Sequence, residues 1–187
     1  VSNICILTQQ KIKKYRTIRS YIEIKNIDPD YVVISNENDK HYKTLMYLEN
    51  NFKNINILVE KPLFNKFINL NIKNNYVYVG YNLRFHPLIL KLKNIIKKRK
   101  IWNVLVTSGS FLPNWRKNID YKSSYSSKKK SGGVLLDLSH EIDYVSWLFG
   151  DLKILHSLNN RLSDLKISSD DNLNLSAKTK NNINIQI

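Results

Sequence analysis

The chain has 187 residues, and its hydrophobic content of 42% is enough for a packed core, which excludes wholesale disorder. Its net charge of +15 comes from lysines spread along the whole chain, without the basic stripe and fold signature of a specific nucleic-acid-binding protein. The single cysteine has no intrachain partner, and there is neither a signal peptide nor an apolar run of the ~20 residues that cross a bilayer. We therefore predict a cytoplasmic protein with no specific nucleic-acid partner and no membrane partner.

The first half of the chain alternates apolar strands with helical segments. Four short runs rich in β-branched or aromatic residues predict strands, at residues 3–7, 31–35, 56–59 and 76–80. Helices are predicted from Asp39 as the N-cap and from Pro87 towards Lys98, with a weaker helix over residues 64–72. Nearly continuous apolar strands that alternate with helices indicate an α/β fold, with a parallel sheet covered on both faces.

The second half, after a boundary near Ile101, has a different pattern. A strand over residues 104–111, a polar loop and a helix over residues 133–149 are followed by three short strands, at residues 152–158, 173–177 and 183–187. The last strand alternates strictly, yet nothing follows that could pair with it, and the chain begins at Val1. We predict a fragment truncated at both ends, with one partial domain at residues 1–100 and another at residues 101–187.

One chemical motif is Val59-Glu60-Lys61-Pro62, which closes the third predicted strand. In open α/β sheets, ligands bind beyond the carboxyl ends of the strands, so Lys61 is predicted to point into that crevice. Pro62 stiffens the turn and could hold a cis peptide bond. An ordinary solvated lysine before a turn proline is the alternative, and position alone does not separate the two.

The other motif is the helix that begins at Gly132-Gly133 and carries Asp137 and His140 one turn apart on one face. The two glycines would let another chain or a ligand approach closely. A histidine beside a carboxylate gains a fixed orientation and a pKa suited to proton transfer. The alternative is an amphipathic helix whose histidine packs against its own aspartate. No second histidine or cysteine completes a usual metal site, so no metal is predicted.

Further polar side chains are predicted at the same edge of the sheet. Asn82 could contact a nicotinamide or a substrate, while Arg84 could bind an anionic or hydroxyl-rich group, or pair with a carboxylate such as Glu60. The loop around Trp115 and Tyr125 mixes aromatic, basic and hydroxyl groups, which suits a polar ring-shaped ligand or an exposed interface equally well.

The segment after the second predicted strand also carries polar side chains close to any nucleotide bound there: Ser35, Asn36, Asn38 and His41. His41 could contact a ribose, or could be a surface histidine at a helix start. Farther upstream, residues 8–11 read Thr-Gln-Gln-Lys.

Taken together and in order, these motifs resemble the Gfo/Idh/MocA family of oxidoreductases, named after glucose–fructose oxidoreductase, inositol dehydrogenase and a rhizopine catabolism protein. The matching stretches are residues 30–35 with His41, then 59–63, 80–85 and 132–150. The resemblance implies a Rossmann-type doubly wound parallel sheet, followed by an α+β domain with an open, mostly antiparallel sheet through which the full-length protein would form homo-oligomers. It also implies hydride transfer between NAD or NADP and a hydroxyl or keto group of a sugar, polyol or nucleotide-sugar, including those of surface-glycan synthesis.

By this resemblance, Lys61 contacts both cofactor and substrate, Asp137 binds the substrate, and His140 transfers the proton. The remaining predicted contacts are Ser35, Asn36, Asn38, His41, Glu60 and Asn82 to the cofactor, and Arg84, Trp115 and Tyr125 to the substrate.

The sequence departs from the family pattern in several respects. The opening strand and the glycine-rich loop are missing, the C-terminal sheet is cut short, and Asp137 and His140 are three residues apart where many members have four. Residues 8–11 occupy the segment that normally determines the choice between NAD and NADP, and they contain no carboxylate. The prediction therefore slightly favours tolerance of NADP. The fragment alone is expected to be inactive, and a non-catalytic remnant or binding protein of the same fold is the alternative.

Overall fold

Two parallel sheets form the first half of the chain in the computed structural model, which describes residues 3–187. The smaller sheet pairs β1 (Cys5–Leu7) with β2 (Arg16–Ile18). The larger sheet has the spatial order β3 (Tyr31–Ile34), β4 (Asn56–Val59), β5 (Tyr76–Val79). The predicted parallel α/β arrangement is confirmed. β2 was not predicted, because its three residues lie between polar neighbours and carry no strand signal of their own.

Helix α1 (Asn38–Asn51) covers one face of the larger sheet, and the side chains of Leu45 and Leu48 are fully buried in the core that it shares with β4. The helix begins one residue before Asp39, with Glu37 at the N-cap position. The predicted cap is therefore wrong. Asp39 instead lies in the first turn, where its negative charge still complements the helix dipole.

Residues 64–72 do not form the predicted helix, and the structure assigns them no regular secondary structure. Leu70 packs against the core beneath α1. Just beyond, the carboxylate of Glu49 accepts hydrogen bonds from the backbone N–H groups of Lys73 and Asn74, both at 2.8 Å. These tertiary contacts fix the path of the segment and outweigh a weak local helix preference.

Helix α2 (Pro87–Ile96) begins where predicted, and the imidazole of His86 caps it by accepting the N–H of Leu88 at 3.2 Å. None of the residues of α2 is buried. The larger sheet leaves four side chains about half exposed, those of Tyr31, Val33, Tyr76 and Tyr78. The prediction of a sheet covered on both faces therefore holds for one face only within the described residues. None of the helices in residues 3–187 is long and apolar enough to cross a membrane.

A four-stranded mixed sheet forms the second half, in the spatial order β6 (Asn103–Leu105), β9 (Asn184–Gln186), β8 (Asn172–Thr179), β7 (Leu152–Asn160). The three later strands are antiparallel neighbours, and β6 runs parallel to β9. The open, mostly antiparallel sheet is as predicted.

The last strand, β9, lies inside this sheet, between β8 and β6. Both strands that pair with β9 precede it in the chain, and β6 comes from the start of this half. The pairing continues one step further, where the N–H of Val106 donates to the carbonyl of Gln186 at 2.9 Å. β6 ends at Leu105, well before the predicted residue 111, because its neighbour β9 is itself only three residues long.

The predicted helix over residues 133–149 is broken into α3 (Val134–Asp137) and α4 (Ser139–Phe149). Leu138, at the break, has φ −102° and ψ 29°, outside the helical region. Asp137 therefore ends one helix and His140 lies in the first turn of the next. The prediction that both residues share one continuous helix face is wrong.

Candidate functional site

Lys61 lies two residues beyond the end of β4 and connects the two halves of the molecule. The peptide bond to Pro62 is cis, and the lysine ammonium donates a hydrogen bond to the backbone carbonyl of Asp137 at the end of α3. Burial lowers the pKa of this ammonium, while the carboxylates of Asp137 and Glu141 act in the opposite direction. Lys61 is thus a half-buried, anchored lysine and not an ordinary solvated one.

Asp137 and His140 both lie close enough to Lys61 to be influenced by its charge. Burial raises the pKa of the Asp137 carboxyl, against the hydroxyl of Ser126 and the ammonium of Lys61, which lower it. Burial and the Lys61 ammonium lower the pKa of His140, so its imidazole is mainly neutral at pH 7. Nδ1 of His140 is buried and has no hydrogen-bond partner among the described residues. The carboxylate of Asp137 therefore does not orient this histidine, contrary to the prediction.

Tyr81 packs against His140 and was not predicted as a site residue. The two rings meet edge to face, with their centroids 5.8 Å apart and an interplanar angle of 82°. Tyr81 lies two residues beyond the end of β5, and burial raises the pKa of its hydroxyl, which therefore stays protonated. The available sequence signal was its place beyond a strand end, next to Asn82.

A cleft of about 740 Å³ opens beside Lys61, at the carboxyl ends of β1, β2, β3 and β4. This is where parallel sheets bind ligands, and the volume lies in the usual range of about 300–1,000 Å³ for ligand pockets. The predicted residues that line it are Ser35, Asn36, Asn38, His41, Glu60, Lys61, Tyr125 and Asp137. Side chains that the sequence did not single out also line it, namely Arg19, Tyr21, Glu37 and Lys40. The positions of Glu37 and Lys40 shortly after β3 could have indicated them, whereas Arg19 and Tyr21 follow β2, which has no strand signal in the sequence.

The imidazole of His41 holds together two segments that border this cleft. Its side chain is only 1% exposed, so the alternative of a surface histidine is wrong. Nδ1 lies 3.1 Å from the carbonyl oxygen of Pro62 and 3.2 Å from that of Leu63, and Nε2 lies 3.0 Å from that of Asn36. The ring therefore joins the segment after β3 to the turn that carries Lys61.

Arg84 pairs with a carboxylate, but with Asp143 of α4 and not with Glu60. Its Nε donates to Oδ2 at 2.8 Å and its Nη2 to Oδ1 at 2.5 Å, and the Asp143 side chain is 8% exposed. Four predicted residues are absent from the lining of the large cleft: Asn82, Arg84, Trp115 and His140, which packs beside Tyr81. The indole of Trp115 donates instead to the hydroxyl of Ser110.

The two glycines before α3 permit close backbone approaches, as predicted. A Cβ on Gly132 would lie 2.2 Å from the carbonyl oxygen of Ser126, and one on Gly133, at φ +104°, would lie 2.2 Å from Oδ1 of Asp170. The loop before them reaches the first half of the chain, where the amide of Asn38 donates to the carbonyl of Ser131 at 2.8 Å. Across residues 3–187, no group of three or more His, Cys, Asp or Glu side chains is placed to hold a metal ion.

Comparison with known proteins gives a match to one protein family and similarity to several solved structures. Residues 89–187 match the family model described as the GFO/IDH/MocA C-terminal domain. A sequence comparison with curated proteins gives no match.

Among solved structures, the chain is similar to an oxidoreductase from Thermotoga maritima, at 18% identity and a TM-score of 0.73, covering 93% of this chain and 56% of that one. It is also similar to the WlbA dehydrogenase from Bordetella pertussis, solved with NADH and UDP-GlcNAcA, at 14% identity and a TM-score of 0.74, covering 92% and 52%. The WlbA dehydrogenase from Thermus thermophilus, solved with NAD and alpha-ketoglutarate, matches at 18% identity and a TM-score of 0.65, covering 92% and 57%. The chain thus spans a little over half the length of these structures.

Proposed function

The chain belongs to the Gfo/Idh/MocA family, and from that premise we propose that it carries the reacting site of an NAD(P)-dependent oxidoreductase acting on a CH–OH group of a sugar, polyol or nucleotide-linked sugar. The observation that carries the proposal is the position of Lys61. Its half-buried ammonium borders the cleft, bonds the backbone of Asp137 and lowers the pKa of His140. A binding module would not need a lysine, a carboxyl and a neutral histidine brought together in this way.

The cleft fits the ribose and nicotinamide parts of a dinucleotide, because hydrogen-bonding side chains line it beyond four strands of the two parallel sheets. The residues proposed to hold the cofactor there are Ser35, Asn36, Asn38 and Glu60. When bound, the cofactor accepts or returns a hydride. The printed sequence contains no Gly-x-Gly-x-x-Gly segment, so none of its residues is assigned to the pyrophosphate.

Each residue of the site has a role that follows from its surroundings. The neutral imidazole of His140 accepts the proton of the substrate hydroxyl as the hydride leaves the same carbon. The ammonium of Lys61 donates a hydrogen bond to that oxygen and stabilises the charge that develops on it. The carboxyl of Asp137 binds a neighbouring hydroxyl of the substrate. Tyr81 holds the histidine ring in place by its edge-to-face contact.

Separate observations support the substrate class, the assembly and the location. The UDP-GlcNAcA in the Bordetella pertussis structure favours a nucleotide-linked sugar as the substrate class. Homo-oligomer formation through the C-terminal sheet is supported by three exposed apolar side chains of its edge strand β7, those of Ile154, Leu155 and Leu158. A cytoplasmic location still rests on the single cysteine, Cys5.

The test is a binding titration of the chain with NADH, followed by the nicotinamide fluorescence, and then saturation-transfer NMR with UDP-GlcNAcA. We expect both ligands to bind, and Lys61→Ala to weaken both because Lys61 contacts both. Asp137→Asn should weaken the sugar far more than the cofactor. Lys66→Ala, an exposed lysine outside the cleft, is the matched control. Sugar binding by the folded chain with no cofactor binding would overturn the proposal and favour a binding protein of the same fold.

A further inference from the structure

One end of the cleft is built by the paired strands β1 and β2. The N–H of Thr8 donates to the carbonyl of Ile18 at 3.1 Å, so Thr8 and Arg19 leave the sheet side by side. The Arg19 guanidinium donates through Nη1 to the carbonyls of Thr8 and Gln10, and the amide of Gln9 donates to the carbonyl of Arg19 at 2.9 Å. Arg19 is thus fixed to the turn that follows β1, and all of these residues except Ile18 line the cleft.

The guanidinium has donors to spare at this position. Of its five N–H groups, the two on Nη1 serve the backbone carbonyls, and Nη2 and Nε have no protein acceptor within residues 3–187. The Arg19 side chain is exposed at the cleft. Three charged donors in a fixed fork are the arrangement that recognises a phosphate group.

The carboxylates near this end of the cleft already have partners within the protein. Residues 3–22 contain no acidic side chain and five basic ones: Lys11, Lys13, Lys14, Arg16 and Arg19. The nearby carboxylate of Glu23 accepts the N–H groups of Arg19 and Ser20 at 3.0 and 2.9 Å, and Glu37 forms an ion pair with Lys40. No other carboxylate lines this part of the cleft among the described residues, because Glu60 and Asp137 lie at the Lys61 end.

From these observations we infer that the cleft selects NADP(H) over NAD(H), with Arg19 binding the 2′-phosphate of the adenosine ribose. The inference rests on the proposed function, because a nicotinamide placed beside Lys61 leaves the adenosine half to the β1–β2 end. A carboxylate there would accept the ribose hydroxyls of NAD and repel a phosphate, whereas Arg19 and the amide of Gln10 attract one.

The test is calorimetric titration of the whole chain at constant salt with NADP⁺, NAD⁺ and two charge-matched fragments, adenosine 2′,5′-bisphosphate and adenosine 3′,5′-bisphosphate. The matched fragments are needed because a net charge of +15 attracts any anion. We expect NADP⁺ to bind about tenfold more tightly than NAD⁺, equivalent to about 1.4 kcal/mol. The 2′,5′-bisphosphate should exceed the 3′,5′ isomer by a similar factor.

Arg19→Gln should remove both preferences, and Gln10→Glu should do the same with the Arg19 anchor intact, which guards against a misfolded variant. Arg99→Gln removes an equal charge beyond the end of α2, outside this cleft, and should leave both ratios unchanged. Binding of both dinucleotides with equal affinity, or a preference for NAD⁺, would overturn the inference and leave the proposed function standing. Binding of neither dinucleotide by the folded chain would overturn both.

Discussion

Gly133→Ala is predicted to destabilise the chain strongly, and the cost can be worked out from two separate terms. Gly133 has φ +104° and ψ 162°, a conformation essentially restricted to glycine, which costs another residue about 1–3 kcal/mol. The new Cβ would also lie 2.2 Å from Oδ1 of Asp170. That carboxylate must then move away from the N–H of Leu135, which donates to it at 3.0 Å, and a hydrogen bond to a charged group contributes about 1.5–3 kcal/mol. The sum is roughly 2.5–6 kcal/mol, set against a total stability of about 5–15 kcal/mol for a typical domain.

Alanine substitutions at three other glycines test the backbone cost and the steric cost separately. Gly150 has φ +94° but nothing within 4 Å of an added Cβ, so Gly150→Ala should cost only the backbone term of about 1–3 kcal/mol. Gly132 lacks a positive φ, but its Cβ would meet the Ser126 backbone at 2.2 Å, and overpacking of this kind costs about 1–3 kcal/mol. Gly109 has neither feature, and Gly109→Ala should be neutral or stabilising by up to about 1 kcal/mol.

The assay is urea denaturation of each variant, followed by tryptophan fluorescence and circular dichroism, with the free energy of unfolding extrapolated to water. In an Asp170→Ala background, the penalty of Gly133→Ala should fall to that of Gly150→Ala, because the clashing carboxylate is gone. The reasoning would be refuted if Gly133→Ala and Gly109→Ala differed by less than about 1 kcal/mol, a gap well below the roughly 2.5–6 kcal/mol derived above.

Two further predictions concern charges at the site. In an NMR titration, His140 should lose its proton at a pH below the usual ~6.5, and Lys61→Met should raise that midpoint because the ammonium disfavours the imidazolium. The unfolded chain binds the His140 proton more readily than the folded chain does. The free energy of unfolding should therefore fall as the pH drops through ~6.5, and it should fall less steeply in His140→Gln. Equal slopes for the two proteins would contradict this. Arg84→Lys should lower the free energy of unfolding by about 1–2 kcal/mol, a value reduced for the partial exposure of the arginine, because an ammonium cannot span both oxygens of Asp143. A loss no larger than in Lys180→Gln, which breaks a fully surface-exposed pair, would show that the bidentate geometry contributes nothing.

Local patterns in the sequence were sufficient to predict most of the regular elements. The β-branched runs of β3, β4 and β5 and the apolar face of α1 are each set by a few neighbouring residues, so their positions and the parallel fold follow from periodicity. The position of Lys61 at a ligand-binding sheet edge follows in the same way, because the carboxyl ends of parallel strands share one edge. The family resemblance was carried by these same short motifs.

Contacts between residues far apart in the chain were decided only by the tertiary structure. The break at Leu138 separates Asp137 from His140, and no periodicity reveals it, because the backbone of α3 is held by Asp170 from beyond β7. The burial of His41 likewise depends on the turn after β4, since its ring meets carbonyls twenty-one and twenty-two residues away. Hydrophobic periodicity shows on which face of its own helix or strand each residue lies. Hydrogen bonds and ion pairs across elements depend on where the folded chain brings its distant segments together, which is why the electrostatics of this site required the tertiary structure.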